Sequence, residues 1–204
     1  MRDRHTMNPS VEFFDRQFAR QIAQRDFALN PFEQAILPFL SGAVLDLGCG
    51  LGNLALDAAR RGCRVIALDA SPTAVAHLGQ AATLENLPIT AREAELRGLN
   101  VAGTFDAVVA IGLLMFFPPE AARAGLARIR ELVKPGGVAA VNALIEGTTF
   151  MGMFDPAGYT LFGETELPEA FPGWKTEYMK VESFPAPKET VKRFCTLVAR
   201  RTTA

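Results

Sequence analysis

Side chains that commonly perform chemistry are scarce in this chain. Its 204 residues include only two histidines, His5 and His77, with two tyrosines and one tryptophan. His5 falls in a charged N-terminal stretch and His77 in a helical segment, so neither is placed as a general base. No Cys/His/Asp cluster has metal-ligand spacing, and a metal-assisted mechanism is not expected. The cysteines, Cys49, Cys63 and Cys195, are odd in number and scattered. They read as reduced thiols of a cytoplasmic protein, not as a disulfide framework. Charge is balanced, 21 Lys and Arg against 22 Asp and Glu, giving a net −1. Such a chain offers no field for a polyanion, so nucleic acid is not an expected partner. Long apolar runs are missing too. Residues 107–119 are uncharged but fall short of the roughly 20 apolar residues a membrane helix needs. The opening MRDRHTMNPS alternates charges and lacks the apolar core of a signal peptide.

What is present is an ordinary composition for one globular domain, 49% hydrophobic and 21% charged. No repeat or linker divides it. Residues 1–30 are expected to form a helical N-terminal extension, and residues 31–204 the domain proper. Val11, Phe14, Phe18 and Ile22 make a helical stripe within residues 11–29. Asn30-Pro31 then reads as the N-cap and first turn of a helix to about residue 37. Strands are expected at 43–47, 64–68, 89–94, 105–111 and 138–145, with helices between most of them. Ser71-Pro72 starts one helix, and another runs from Pro119 to the Lys-Pro-Gly-Gly turn at 134–137. Strands alternating with helices imply a parallel sheet covered on both faces. A Met- and Phe-rich loop and a short helix near 166–171 follow. The last strands, 175–184 and 191–200, are joined by a connection too short for a crossover and must be antiparallel. The fold class is therefore α/β: one doubly wound, Rossmann-like, mostly parallel seven-stranded sheet ending in an antiparallel hairpin.

The segment VLDLGCGLGN, residues 44–53, places Gly48, Gly50 and Gly52 after the first strand and before a helix. Ligands of doubly wound sheets sit there. The dinucleotide fingerprint wants a sixth-position glycine, and that position is Asn53. Asp46 also argues against a pyrophosphate, since a carboxylate close to a phosphate is unfavourable in a partly dry site. It favours a cationic ligand instead. S-Adenosylmethionine carries an ammonium and a sulfonium and no phosphate. Asp69, ending the second strand, is placed to accept hydrogen bonds from ribose hydroxyls.

In order and spacing, VLDLGCGLGN, VIALDASP, the acid after the third strand and the Lys-Pro-Gly-Gly turn resemble class I S-adenosylmethionine-dependent methyltransferases. That resemblance implies S-adenosylmethionine as cofactor and S-adenosylhomocysteine as product. It implies that Asp46 and the Gly48–Cys49–Gly50 backbone meet the methionine end and Asp69 the ribose. Ala70 and Leu96 would flank the adenine, Glu95 would hold its amine, and Ile111 would line the pocket. Arg16 or Arg25 would pair with the cofactor carboxylate or, more commonly for arginine, lie on the surface; Phe13, Phe14 and Phe18 either cap the cofactor or, the preferred reading, pack as core.

Residues beyond the fourth strand narrow the resemblance. AIGLLMFF, the Phe-rich loop, Gly173-Trp174, Tyr178 and the closing KRFCTLVARR are similar to tellurite-resistance methyltransferases. The likeness implies Arg193 as a substrate-side residue, and Met115, just after the fourth strand, stands where substrate would meet the sulfonium. Active members carry a histidine and further arginines before the last strand, whereas SFPAPKETVK here has Lys188 and Lys192 and no histidine. Met151, Met153, Phe154 and Tyr159 occupy a lid position after the fifth strand. With no histidine base, a soft nucleophile such as a thiol or a selenium or tellurium oxyanion suits the chain, although Asp, Glu and Tyr remain available. The expected activity is methyl transfer to a small molecule. An amine, hydroxyl or carboxylate acceptor, or a non-catalytic cofactor-binding sensor, stays open as an alternative; Asp46 and Asn53 argue against a nicotinamide oxidoreductase. No sequence feature assigns a catalytic base or an oligomeric state.

Overall fold

The structure, a computed structural model, describes residues 9–203 apart from Leu99 and Ala157, so His5 lies outside the described residues. In the interior of the sheet is β1 (Ala43–Leu47), whose residues from Val44 on are buried. It pairs in parallel with β2 (Arg64–Asp69) on one side and β4 (Phe105–Ile111) on the other. Beyond β2 lies β3 (Ile89–Glu93), and beyond β4 lies β5 (Val133–Leu144). The hairpin of β6 (Lys175–Ala186) and β7 (Thr190–Arg200) completes the sheet, with β7 antiparallel to both neighbours. The order is β3-β2-β1-β4-β5-β7-β6. It is a doubly wound sheet with an antiparallel hairpin at one end, as the strand pattern requires.

Helices cover both faces. On one side α3 (Asn53–Arg60) and α4 (Pro72–Leu84) bury Leu54 and Leu78 with Val44 and Val65. On the other, α5 (Pro119–Leu132) buries Leu126 and Ile129 with Leu45 and Val108. A short α6 (Glu166–Glu169) precedes β6. Among the described residues no helix is long and apolar enough to cross a membrane.

Two local readings need correction. The first helix, α1 (Pro9–Gln24), stops well before residue 29. It ends where Arg25 turns into the left-handed region at φ 53°. The Lys-Pro-Gly-Gly segment is also not a turn ahead of β5 but a bulge within it, since pairing with β4 steps from Phe105↔Val133 to Ala107↔Val138. Gly137 permits this: a Cβ there would lie 2.7 Å from the Asp106 carbonyl oxygen.

The helix α2 (Pro31–Ile36) depends on its cap. Asn30 Oδ1 accepts from the N–H groups of Phe32 and Glu33, each at 2.9 Å, and Glu33 returns an acceptor to the Asn30 N–H at 2.7 Å. This reciprocal capping box satisfies donors that a helix of this length could not spare. Asn30→Ala should therefore lower the unfolding free energy by about 1 kcal/mol, read by urea denaturation; no change would show the cap to be redundant.

Candidate cofactor and active site

A cavity of about 700 Å³ opens at the carboxyl ends of the parallel strands, where doubly wound sheets place their ligands. Its floor is the loop from β1 to α3. Gly48 and Cys49 donate their N–H groups to the Leu68 carbonyl at 2.8 and 3.1 Å, tying the loop to β2. Gly50 and Gly52 hold φ of +53° and +77°. A Cβ on Gly52 would meet Leu78 at 2.5 Å, and one on Gly50 would meet the Phe18 ring at 3.2 Å. Glycine is thus needed for both the conformation and the packing.

Three carboxyl groups gather at this end. Asp46 is only 5% exposed and stands between Ala67 of β2 and Val109 of β4. Burial pushes its pKa up to about 8, and the nearby Glu33 and Asp69 add to the rise. Glu33 is itself raised, by burial first, against the opposing Asn30 N–H bond. Burial likewise raises Asp69, although its oxygens accept from Gly50 N–H and Ser71 N–H, both at 2.8 Å. Those two bonds fix the Asp69 carboxylate and leave it lone pairs for further donors. Among the described residues no Lys or Arg forms an ion pair with any of the three. Buried acids without a counter-charge are costly in isolation and mark a place for a cationic ligand. Cys49 is no nucleophile here: burial, then Asp46 and Asp69, push its thiol well up.

The cavity brings together almost all of the residues singled out from the sequence. Asp46, Gly48, Cys49, Gly50, Asp69, Ala70, Glu95, Leu96, Ile111 and Met115 all line it. Arg193 does not. Its guanidinium donates to Glu164 at 2.8 Å and to the Glu146 carbonyl at 3.2 Å, below the Met- and Phe-rich loop. Glu95 is exposed at the rim and accepts from the Arg97 N–H at 3.0 Å, while Glu93 lies outside the lining. His77 stands away from the cavity, half-buried and stacked on Phe27 at 4.9 Å, and burial lowers its pKa.

Helix α1 takes the capping alternative as well as the packing one, and further contributors had no sequence reading. Phe14 and Phe18 are wall as well as packing, because α1 lies across the cavity mouth. Asp15 latches it there by accepting from the hydroxyls of Ser71 and Thr73 at the start of α4. Burial opposes the ionised form of Asp15, but those hydroxyls outweigh it and its pKa is lowered. Asn142 also lines the cavity; its amide donates to Thr196 Oγ1 at 2.9 Å, and its Oδ1 has no partner. Asn53 Oδ1, at the glycine loop, is likewise buried and unpartnered. An asparagine inside the apolar run VAAVNALI was the available signal for the first.

Comparison with known proteins agrees with this geometry. Residues 44–137 match the family described as a methyltransferase domain. The chain carries the methyltransferase domain of the class I S-adenosylmethionine-dependent family. A ubiquinone biosynthesis O-methyltransferase of Cereibacter sphaeroides is 33% identical over 142 residues, 69% of this chain and 54% of that protein. The probable S-adenosyl-L-methionine-dependent methyltransferase TehB of Haemophilus influenzae is 28% identical over 65% of this chain and 46% of its own. The chain thus spans about half the length of the curated relatives it matches. In fold, it aligns with the crystal structure of TehB from Haemophilus influenzae at a TM-score of 0.75 and 21% identity, over 95% of this chain and 67% of that one. The N-methyltransferase NodS from Bradyrhizobium japonicum, solved with S-adenosyl-L-homocysteine, gives 0.73 at 18% identity, covering 96% and 100%.

The raised Asp46 sets a pH dependence for the unliganded methyltransferase domain. Between the ordinary value of 3.8 and about 8 the folded chain keeps a proton that the unfolded chain has lost. Stability must then fall as pH rises through that window. Melting temperatures from pH 5 to pH 8 should decline in the wild type, and Asp46→Asn should flatten the decline and melt higher at pH 8. Parallel profiles for the two proteins would contradict the assignment.

Proposed function

We propose that the chain is a methyltransferase that uses S-adenosylmethionine to methylate a small molecule carrying a soft nucleophile. The observation that carries this reading is the cluster of Asp46, Asp69 and Glu33 beside a glycine loop, with which no Lys or Arg is ion-paired among the described residues. When bound, S-adenosylmethionine supplies an electrophilic methyl group on a sulfonium. Its cationic amino-acid end suits Asp46, and the unpartnered Asn53 Oδ1 offers a neutral acceptor nearby. Asp69, held rigid by two backbone donors, takes the ribose hydroxyls. Ala70, Leu96 and Glu95 receive the adenine, with Gly48, Cys49, Gly50 and Ile111 closing around the remainder. Residues 31–204 form the catalytic domain, and the 1–30 extension supplies α1 as its cover.

The soft acceptor follows from where the acids stand. All carboxylates of the lining, Glu33, Asp46, Asp69 and Glu95, belong to α2, β1, β2 and the segment after β3. The opposite half, from Ile111 through Met115, Phe116, Phe150, Met153 and the β6–β7 hairpin, offers no carboxylate, histidine or tyrosine among the lining residues. An acceptor there must bring its own nucleophile, such as a thiolate or a selenium or tellurium anion. The likeness to TehB supports this soft-acceptor reading. The O-methyltransferases among the relatives favour a second one, transfer to an oxygen nucleophile that ionises without an enzymic base. In either case positioning and the exclusion of water carry catalysis. The reduced thiols and the soluble composition accord with a cytoplasmic enzyme.

Thermal shift and calorimetry with S-adenosylhomocysteine and NADH test the cofactor. S-Adenosylhomocysteine alone should stabilise, and Asp69→Ala should weaken its binding at least tenfold, about 1.4 kcal/mol. Stabilisation by NADH alone would overturn the reading. Transfer of labelled methyl to a panel of thiols, selenite, tellurite, phenols and amines tests the acceptor. Labelling confined to amines would sink the soft-nucleophile assignment.

A further inference from the structure

The half of the cavity away from the acids has its own chemistry. Two aromatic walls border it. One is a chain of rings in which Phe14 of α1 meets Phe116 edge-on at 5.0 Å, Phe116 meets Phe154 at 5.3 Å, and Phe154 stacks on Tyr159 at 4.9 Å. The other is a triad in which Phe32 of α2 packs against Phe184 of β6 at 5.6 Å and Phe194 of β7 at 4.6 Å. Phe14, Phe116, Phe32, Phe184 and Phe194 all line the same cavity.

A cation, Lys192, stands among these rings, while Arg97, the other basic side chain among the described lining residues, belongs to the segment after β3. Lys192 lines the cavity, faces Phe184 across the hairpin, and holds its ammonium 4.6 Å from the centre of the Phe150 ring. No carboxylate is paired with it among the described ion pairs, although its neighbour Arg193 is engaged by Glu164. An unpaired ammonium over an aromatic face, in a largely apolar pocket, is a ready partner for one anionic group. The surface around it is wrong for a free inorganic oxyanion, which needs several converging donors to replace its water.

We infer that the acceptor is an organic thiol with an aromatic or similarly broad apolar body and one carboxylate-like anionic group, the body lying between the two walls and the anion meeting Lys192. This deepens the proposed function and rests on its cofactor assignment. The balance needs no enzymic base. The thiolate sulfur's electron pair forms the new bond to the methyl carbon, the old carbon–sulfur bond pair stays with the departing thioether sulfur, and the thiol proton has already gone to solvent. Lys192 touches the substrate's anion and not the reacting atoms, so it acts as a specificity residue.

The test begins with S-adenosylhomocysteine binding by calorimetry, which judges the cofactor assignment alone; if it does not bind, the inference falls with that assignment. With binding established, methyl transfer and calorimetric binding to the S-adenosylhomocysteine complex are compared for 4-mercaptobenzoate, thiophenol and tellurite. The expected order is 4-mercaptobenzoate over thiophenol, with tellurite neither binding nor methylated. Lys192→Met should reduce the preference for 4-mercaptobenzoate over thiophenol by roughly three- to tenfold, seen in KM more than in kcat, and Lys192→Arg should restore it. Methylation of tellurite in preference to both thiols, or an unchanged preference in Lys192→Met, would overturn the inference while leaving the cofactor assignment intact.

Discussion

A carboxyl group with no counter-charge, buried in an interior strand, governs the layout of this protein. Asp46 sits on β1 with neighbouring strands on both sides, and burial holds its pKa near 8. A side chain there is expensive unless something cationic joins it, and apolar packing alone would favour a valine or leucine. Around this group the loop glycines let the backbone approach closely, and Asp69 is fixed by the same loop through Gly50. The glycine loop and the two acids thus form one mechanical unit. Strand β1 positions it, and the two flanking strands keep water away.

Sheet order then divides the cavity. Strands β1 and β2, the segment after β3 and helix α2 deliver the acids, and β4, β5, β7 and β6 with the loops between them deliver mostly apolar side chains. The boundary runs beside Ile111 and Asn142, which are paired across β4 and β5. A ligand bridging the boundary places its charged end on one chemistry and its reactive end on the other. The cover is α1, whose Asp15 holds the first turn of α4 next to Asp69. Cofactor enclosure and the wall of the acceptor half therefore share one helix.

Most of the sheet, and the acid half of the site, could be read from local sequence. Continuous apolar runs such as VVAIG, short and alternating with helical segments, read as buried strands, and Asp46 and Asp69 were visible because charge interrupts such runs. The other half was not legible in the same way. Phe14, Phe32, Phe184 and Phe194 come from four separate elements, and no local pattern groups them. Only the tertiary arrangement makes them the facing walls of one cavity. Arg193 illustrates the converse, since its position near the last strand pointed to the substrate, yet Glu164 and the Glu146 carbonyl hold its guanidinium outside the cavity. Lys192, one residue earlier, points to the other side of the strand, as the two-residue period demands. The bulge in β5 was hidden for another reason: a Lys-Pro-Gly-Gly string is a turn in most settings, and here the strand pairing with β4 resumes beyond it.

The role of Asp46 as a proton-bearing acid that ionises on meeting a cationic ligand is open to one direct measurement. S-Adenosylhomocysteine binding is followed calorimetrically at pH 7 in buffers of different ionisation enthalpy, for the wild type and for Asp46→Asn. Binding of the ammonium should ionise Asp46 and release about one proton per ligand in the wild type and close to none in the variant. Binding without proton release in the wild type, or equal release in both proteins, would contradict the account.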